Sequence, residues 1–72
     1  MVPIGKRLKE LRAIKGVTQK QVAEYLEIIP NSFQQFEYDK VNPSLENIIK
    51  LCQYFQVPAD YLLGLSDEPE RR

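Results

Sequence analysis

Apolar residues recur every three or four positions in the first part of the chain, which is the spacing of one face of a helix. The pattern predicts a first helix over residues 4–15, with an inward stripe formed by Ile4, Leu8, Leu11 and Ile14. Gly16 follows this stripe directly, and glycine readily adopts the left-handed conformation that ends many helices. We therefore expect the first helix to end there.

The next segment carries a complete signal for the start of a second helix. Thr18 is a favoured cap, and Gln21 can return a hydrogen bond to the backbone of the cap, which together form a capping box. Val17 and Val22 stand at the two positions of a hydrophobic staple. We expect this helix to end near Leu26 and to be followed by a short turn.

A third helix is predicted to begin at Pro30, because the first position of a helix does not need the N–H that proline lacks. Phe33 and Phe36 supply its inward face. A loop over residues 39–43 follows, and Ser44 then caps a fourth helix. The apolar residues of the fourth helix, all at helical spacing, are Leu45, Ile48, Ile49, Cys52 and Phe55.

The chain closes with a short fifth helix, which Val57 and Pro58 open and Gly64 ends. Five short helices with tight connections predict an all-α, compact five-helix bundle. We expect residues 1–65 to form this single domain and residues 66–72 to form a polar, frayed tail.

The composition excludes several classes of site. The chain has no His and a single Cys, Cys52, so it lacks the usual zinc ligands and the base of Ser-His-Asp or Cys-His catalysis. Gly-rich phosphate loops are also absent from the sequence. We therefore expect no metal, no cofactor and no enzymatic activity. No apolar run has transmembrane length and no signal-peptide core is present, so the expectation is a cytoplasmic protein without membrane contact.

Basic residues are concentrated at the start of a chain whose formal net charge is zero. Residues 1–20 hold six Lys and Arg against Glu10 alone, a local charge of +5 (6 − 1), whereas residues 21–39 hold four acidic residues and no base. An electrostatic footprint for a polyanion would therefore belong to the first helix and the start of the second.

The outward face of the third helix is rich in carboxamides. Opposite its two phenylalanines lie Asn31, Gln35 and Tyr38, with Gln34 beside them. A carboxamide is both donor and acceptor, so it can pair bidentately with N6 and N7 of adenine in the major groove of DNA. The alternative is an ordinary solvated face, which every surface helix needs.

Several runs of the sequence, taken in their order and spacing, point to one family. They are IGKRLKELR at 4–12, GVTQ at 16–19, Val22-Ala23, Leu26, Glu37, NPSL at 42–45 and DYLLG at 60–64. Together they resemble the Cro/cI-type, or XRE-like, helix-turn-helix repressor domains over about residues 4–64. Each run alone is weak evidence, but their combined order is specific.

The resemblance implies a lambda-repressor-like fold in which helices 2 and 3 form the helix-turn-helix of a sequence-specific DNA-binding transcriptional regulator. Helix 2 would rest on the DNA backbone through its N-terminus, and helix 3, at about Pro30–Tyr38, would lie in the major groove. The residues then expected to contact bases are Pro30, Asn31, Gln34 and Gln35. Those expected to contact phosphates are Thr18, Gln19, Tyr38, Lys40 and Asn42.

The same resemblance implies a structural ion pair and a dimer. Arg12 and Glu37 occupy positions that tie helix 1 to helix 3 in the family. A homodimer through helices 4 and 5 would bind a palindromic double-stranded DNA operator, with its two third helices about 34 Å apart. The expected dimer contacts include Tyr61, Leu62 and Leu65.

The turn between helices 2 and 3 departs from the family pattern. Glu27 stands where the family usually has Gly, so a non-glycine residue is expected in the left-handed conformation. Ile29 replaces the usual Ser or Thr cap, and Pro30 replaces a position that often carries Arg or Gln. These departures leave a second hypothesis open: a protein-interaction module, antitoxin-like or adaptor, with a helix-turn-helix fold and weak or no DNA binding.

Overall fold

Five α-helices make up most of the computed structural model, which describes residues 3–69. In chain order they are α1 (Gly5–Lys15), α2 (Gln19–Leu26), α3 (Pro30–Glu37), α4 (Leu45–Phe55) and α5 (Ala59–Leu62). The described part of the chain contains no strand. The prediction of an all-α, five-helix fold is confirmed.

Local signals set the ends of the first two helices and the start of α4. Gly16 has φ 74° and ends α1 in the left-handed conformation. Thr18 Oγ1 accepts a hydrogen bond from Gln21 N at 3.1 Å, and Gln21 Oε1 accepts one from Thr18 N at 2.8 Å. Both bonds of the predicted capping box are therefore present. Ser44 caps α4 by accepting a hydrogen bond from Asn47 N at 3.1 Å.

The turn between α2 and α3 uses a non-glycine residue in the left-handed conformation, as predicted. Glu27 ends α2 with φ 60° and ψ 41°. Ile28 N donates to the carbonyl of Ala23 at 3.0 Å, and the Ile28 side chain packs against the core. Ile29 precedes α3 in an extended conformation and provides no side-chain cap, while Pro30 lies in the first turn of α3.

One hydrophobic core joins all five helices. Its largest fully buried side chains come one from each helix: Leu8, Val22, Phe33, Leu51 and Leu62. Burial of a side chain of this kind contributes about 1.5–3 kcal/mol relative to exposure. Because every helix supplies one of these residues, α2 and α3 are held to the rest of the bundle as well as to each other.

Three apolar residues at helical spacing are exposed, and for Ile14 the prediction of an inward-facing side chain is wrong. Ile14 is 79% exposed because, at 3.6 residues per turn, it lies about a quarter turn away from the rest of the α1 stripe. Leu45 and Ile49 are exposed because they lie on a side of α4 that the described part of the chain leaves uncovered. Phe55, which has the same helical spacing on α4, is partly buried against the core.

The segment after α5 has no helix within the described residues. Gly64 adopts a positive φ of 80° directly after α5. Arg7 Nη2 lies 3.5 Å from the carboxylate of Asp67 and so connects α1 to this segment. Residues 70–72 of the predicted tail lie outside the described residues.

Candidate nucleic-acid interface

A buried carboxylate joins the first three helices. Arg12 Nε and Nη2 donate to Glu37 Oε2 and Oε1 at 2.6 and 3.1 Å, and Gln19 Nε2 donates to Glu37 Oε1 at 2.8 Å. The Glu37 side chain is 0% exposed. The geometry therefore ties the last residue of α3 to the middle of α1 and to the first residue of α2, with the two residues expected to form an ion pair at its centre.

Arg12 stays charged in this environment. The hydrogen bond to Glu37 is the main cause that raises the pKa of Arg12 above its ordinary value, and partial burial opposes it. Arg12 Nη1 also donates to the carbonyl of Val17 at 3.3 Å. Because breaking a buried ion pair leaves an uncompensated charge in the interior, removal of either partner should be strongly destabilising.

The base-contacting residues proposed from the sequence lie together on α3. Asn31 is exposed, and Gln34 and Gln35 are partly exposed, on the face opposite the buried phenylalanines. We call these three side chains the carboxamide row. Gln34 Nε2 lies 3.2 Å from the hydroxyl oxygen of Tyr38. Within the described residues, the carboxamides of Asn31 and Gln35 make no hydrogen bond, so their donors and acceptors face solvent.

The N-terminal tip of α3 has a different chemistry from the carboxamide row. Ile29 is 64% exposed and Pro30 is exposed next to it. Neither side chain can form a hydrogen bond, so Ile29, the N-cap residue, provides no side-chain cap for the helix. These two side chains therefore offer van der Waals contact only.

The residues expected to contact phosphates lie at the start of α2 and after α3. Thr18 is exposed, and its hydroxyl already accepts the capping hydrogen bond. Gln19 is partly exposed, with one amide N–H directed at Glu37. The other three, all exposed and following α3, are Tyr38, Lys40 and Asn42.

Two contacts between α1 and the end of α3 escape sequence reasoning. Lys9 Nζ lies 5.2 Å from the centroid of the Tyr38 ring, which brings a cation of α1 beside the carboxamide row. Asp39 Oδ1 accepts a hydrogen bond from the backbone N–H of Gly5 at 2.8 Å. In each contact the two residues are about thirty positions apart, so no local sequence pattern connects them. A glycine at position 5, within the predicted first helix, is the sequence feature that could have indicated a close approach of another segment.

A second surface is formed by the C-terminal part of the chain, between α4 and α5. It is an open groove of about 800 Å³. The larger aliphatic residues that line it are Leu45, Ile48, Ile49, Val57 and Leu63. Of the residues expected to contact a second chain, Tyr61 and Leu62 are 7% and 0% exposed because they pack into the protein's own core, so that part of the expectation is wrong. Leu65 is exposed.

Two other features, a membrane-spanning helix and a metal site, are absent from residues 3–69. No helix in this range has the length and apolar character needed to cross a bilayer. In the same range, no three His, Cys, Asp or Glu side chains are grouped so that they could hold a metal ion.

Comparison with known proteins identifies the architecture. A family model described as a helix-turn-helix domain matches residues 5–68. The chain is 42% identical over 69 residues to the HTH-type transcriptional regulator ImmR of Bacillus subtilis (strain 168), covering 96% of the chain and 54% of ImmR. It is 34% identical over 64 residues to the uncharacterized HTH-type transcriptional regulator YobD of the same strain, covering 89% of the chain and 57% of YobD.

A more distant relative is the HTH-type transcriptional regulator PuuR of Escherichia coli (strain K12), at 27% identity over 66 residues, 92% of the chain and 36% of PuuR. The chain thus spans about half the length of the two more similar relatives. All three carry names of regulators of transcription rather than of enzymes. The resemblance found in the sequence is confirmed, and the chain belongs to the helix-turn-helix domain family.

Proposed function

We propose that this chain is the sequence-specific DNA-binding domain of a transcriptional regulator, with α3 in the major groove and the N-terminus of α2 on a phosphate. The observation that carries the proposal is the carboxamide row on α3, a helix whose C-terminal end is fixed by the buried Glu37. A row of donors and acceptors reads bases only when the helix that bears it is held in one orientation. The relatives, named as regulators of transcription, support the same function.

Base reading is assigned to the carboxamide row. Asn and Gln side chains pair bidentately with adenine, and each such pair discriminates by about 1–3 kcal/mol against the wrong base. Asn31 and Gln35 have their full hydrogen-bonding capacity to offer, whereas Gln34 is partly engaged by Tyr38. We therefore expect Asn31 and Gln35 to dominate the preference for adenine.

Pro30 contributes to base reading through shape. In the major groove the apolar feature of a base pair is the C5-methyl group of thymine. Pro30 and the neighbouring Ile29 form an exposed apolar tip at the end of α3 that would enter the groove. We assign this tip to a thymine methyl group.

Phosphate binding is assigned first to Gln19 and the start of α2. The free N–H groups and partial positive charge of a helix N-terminus attract a phosphate. Gln19 Nε2 carries two N–H bonds, and Glu37 Oε1 accepts one of them, so the second can reach a phosphate while the first holds the side chain in place. The Thr18 hydroxyl would donate a further hydrogen bond to this phosphate. Three residues after α3 would contact other phosphates of the DNA backbone: Tyr38, Lys40 and Asn42.

A homodimer bound to a palindromic operator completes the proposal. The groove between α4 and α5 presents exposed Leu45 and Ile49, with Leu65 exposed nearby in sequence. Two copies that join at these side chains would bury the apolar face that α4 leaves uncovered and would place two α3 helices on successive turns of DNA. The molecular mass from analytical ultracentrifugation, measured with and without a bound DNA duplex, tests whether the chain forms this homodimer.

Selection of bound duplexes from a random library tests the main proposal. We expect a defined half-site, repeated in inverted orientation. Gln35→Ala should change the preferred base at one position, whereas Gln19→Ala should weaken binding to all sequences, because the first contacts a base and the second a phosphate. Gln56→Gly is the control, since it removes an exposed carboxamide at the end of α4, where φ 55° suits glycine.

Two outcomes would contradict the proposal. Recovery of no duplex above background would reject DNA binding and favour the protein-interaction module. If Gln35→Ala and Gln19→Ala bind the selected duplex as tightly as the Gln56→Gly control, the assigned contact residues are wrong.

A further inference from the structure

We propose that Asp39 and Gly5 form a second positioning contact for α3, which together with the Glu37 contacts sets the angle at which the carboxamide row meets DNA. Asp39 touches neither base nor phosphate in this role; it is a positioning residue. The inference rests on the proposed function for its effect on DNA, but the geometry can be tested without DNA.

The start of α1 lacks a cap of its own. Ile4 precedes the helix in a helical conformation, with φ −94° and ψ −6°, and provides no side-chain hydrogen bond. The first turn of α1 also contains no acidic residue. The carboxylate of Asp39, 34 positions later in the chain, accepts the hydrogen bond of Gly5 N at 2.8 Å. A carboxylate at this end also complements the partial positive charge of the helix. The N-terminus of α1 is thus capped by the segment that follows α3.

Asp39 pays a conformational cost to reach this position. Its φ of 58° lies in the left-handed region, which non-glycine residues adopt infrequently, although Asp tolerates it better than most. The turn is closed by Asp39 N, which donates to the carbonyl of Phe36 at 3.2 Å, and by Lys40 N, which donates to that of Gln35 at 3.0 Å. The side chain that caps α1 is therefore part of the turn that ends α3.

The two helices also meet too closely for any other residue at position 5. A Cβ atom on Gly5 would lie 2.0 Å from the backbone oxygen of Glu37 and 3.0 Å from Asp39 Oδ2. Gly5 is buried at this contact. The backbone of α1 therefore touches the last carbonyl of α3, and the hydrogen bond to Asp39 holds the two in register.

Two separated contacts with α1 fix the orientation of α3 more firmly than one contact does. The Glu37 side chain is bonded to Arg12, and the Glu37 backbone and Asp39 lie against Gly5, two helical turns earlier in α1. Packing in the core already holds α3 in the bundle, and the Arg12 and Gly5 contacts each fix one further point of its C-terminal end against α1. With both, the end of α3 is fixed along the length of α1, and the carboxamide row is fixed with it.

Asp39→Gly is the informative variant. It removes the carboxylate but suits a positive φ, so the fold should be retained. We expect binding to the selected duplex, measured by fluorescence anisotropy, to weaken several-fold and by no more than about tenfold, because the affinity can fall only by the free energy with which this hydrogen bond favours the bound orientation of α3. Asp39→Asn keeps an acceptor oxygen and should bind within about twofold of the wild type. Ser44→Ala, which removes the cap of α4 away from this contact, should lower stability without a matching loss of affinity.

Residual dipolar couplings of the α1 and α3 backbone amides test the geometry directly. We expect the angle between α1 and α3 to change in Asp39→Gly and to be retained in Asp39→Asn and Ser44→Ala. An unchanged angle, wild-type affinity of Asp39→Gly, or an equal loss of affinity in Ser44→Ala would overturn the proposal. If the wild type itself binds no duplex, the proposed function fails, while the angle still decides whether Asp39 positions α3.

Discussion

The two ends of α3 are built in opposite ways. At the C-terminal end, Glu37 is fully buried between Arg12 and Gln19, and the turn that follows is bonded to the start of α1. At the N-terminal end, Ile29 and Pro30 are exposed, and Ile29 provides no side-chain cap for the helix. The helix α3 is therefore anchored at its C-terminal end, whereas its N-terminal end is exposed to solvent. We infer that the N-terminal end of α3, which would enter the major groove of DNA on the proposed function, lacks the stability that a side-chain cap would add.

Loss of Glu37 should give the largest effect. Glu37→Ala leaves Arg12 without its partner in a partly buried position, and we expect the free energy of unfolding to fall by about 3 kcal/mol, the lower part of the range for buried pairs because Arg12 retains some contact with solvent. Urea denaturation measures this. Glu24→Ala, an exposed position on α2, should change stability by no more than about 0.5 kcal/mol. Equal effects of the two variants would show that the C-terminal end is not an anchor.

A cap at the open end should act in the opposite direction. Ile29→Ser introduces the side-chain acceptor that this end lacks, and the free energy of unfolding should rise by about 1 kcal/mol. Thr18→Ala, which removes the hydroxyl of the capping box of α2, should lower it by a similar amount. Thermal unfolding of the two variants checks both signs, and a destabilised Ile29→Ser would mean that the isoleucine contributes to packing.

The smallest predicted effect concerns the apolar tip. Replacement of thymine by deoxyuridine removes only the C5-methyl group, so at one position of the selected duplex affinity should fall about fourfold, the equivalent of about 0.8 kcal/mol for one buried methyl or methylene group. In Ile29→Ser the same replacement should have a smaller effect. A scan in which no thymine position responds in the wild type would remove the tip from base recognition.

Local chemistry made much of this fold predictable. The capping box at Thr18, the left-handed Gly16 and the proline at the start of α3 depend on neighbours within four residues, and all three are present. The left-handed Glu27 was expected only through the family resemblance, and it too is found. Predictions of this kind succeed because the partners are adjacent in sequence.

The features that the sequence predicted wrongly or did not predict depend on how the helices pack. Ile14 lies about a quarter turn away from the rest of the α1 stripe, and whether that side of α1 is covered depends on which helices pack beside it. Tyr61 and Leu62 belong to the core rather than to a dimer surface for the same reason. The contact between Asp39 and Gly5 joins residues 34 positions apart, and its existence follows only from the way α1 and α3 cross. Such features are properties of the packed bundle.

Asn31 and Gln35 make no hydrogen bond within residues 3–69, while the anchor of α3 rests on other side chains. The positions assigned to reading and the positions that hold the helix are therefore chemically separate. On the proposed function, we expect substitutions at Asn31 and Gln35 to alter the preferred operator while leaving the folded scaffold intact. We therefore expect that one or two changes on α3 would be enough to give such a protein a new target sequence, by evolution or by design.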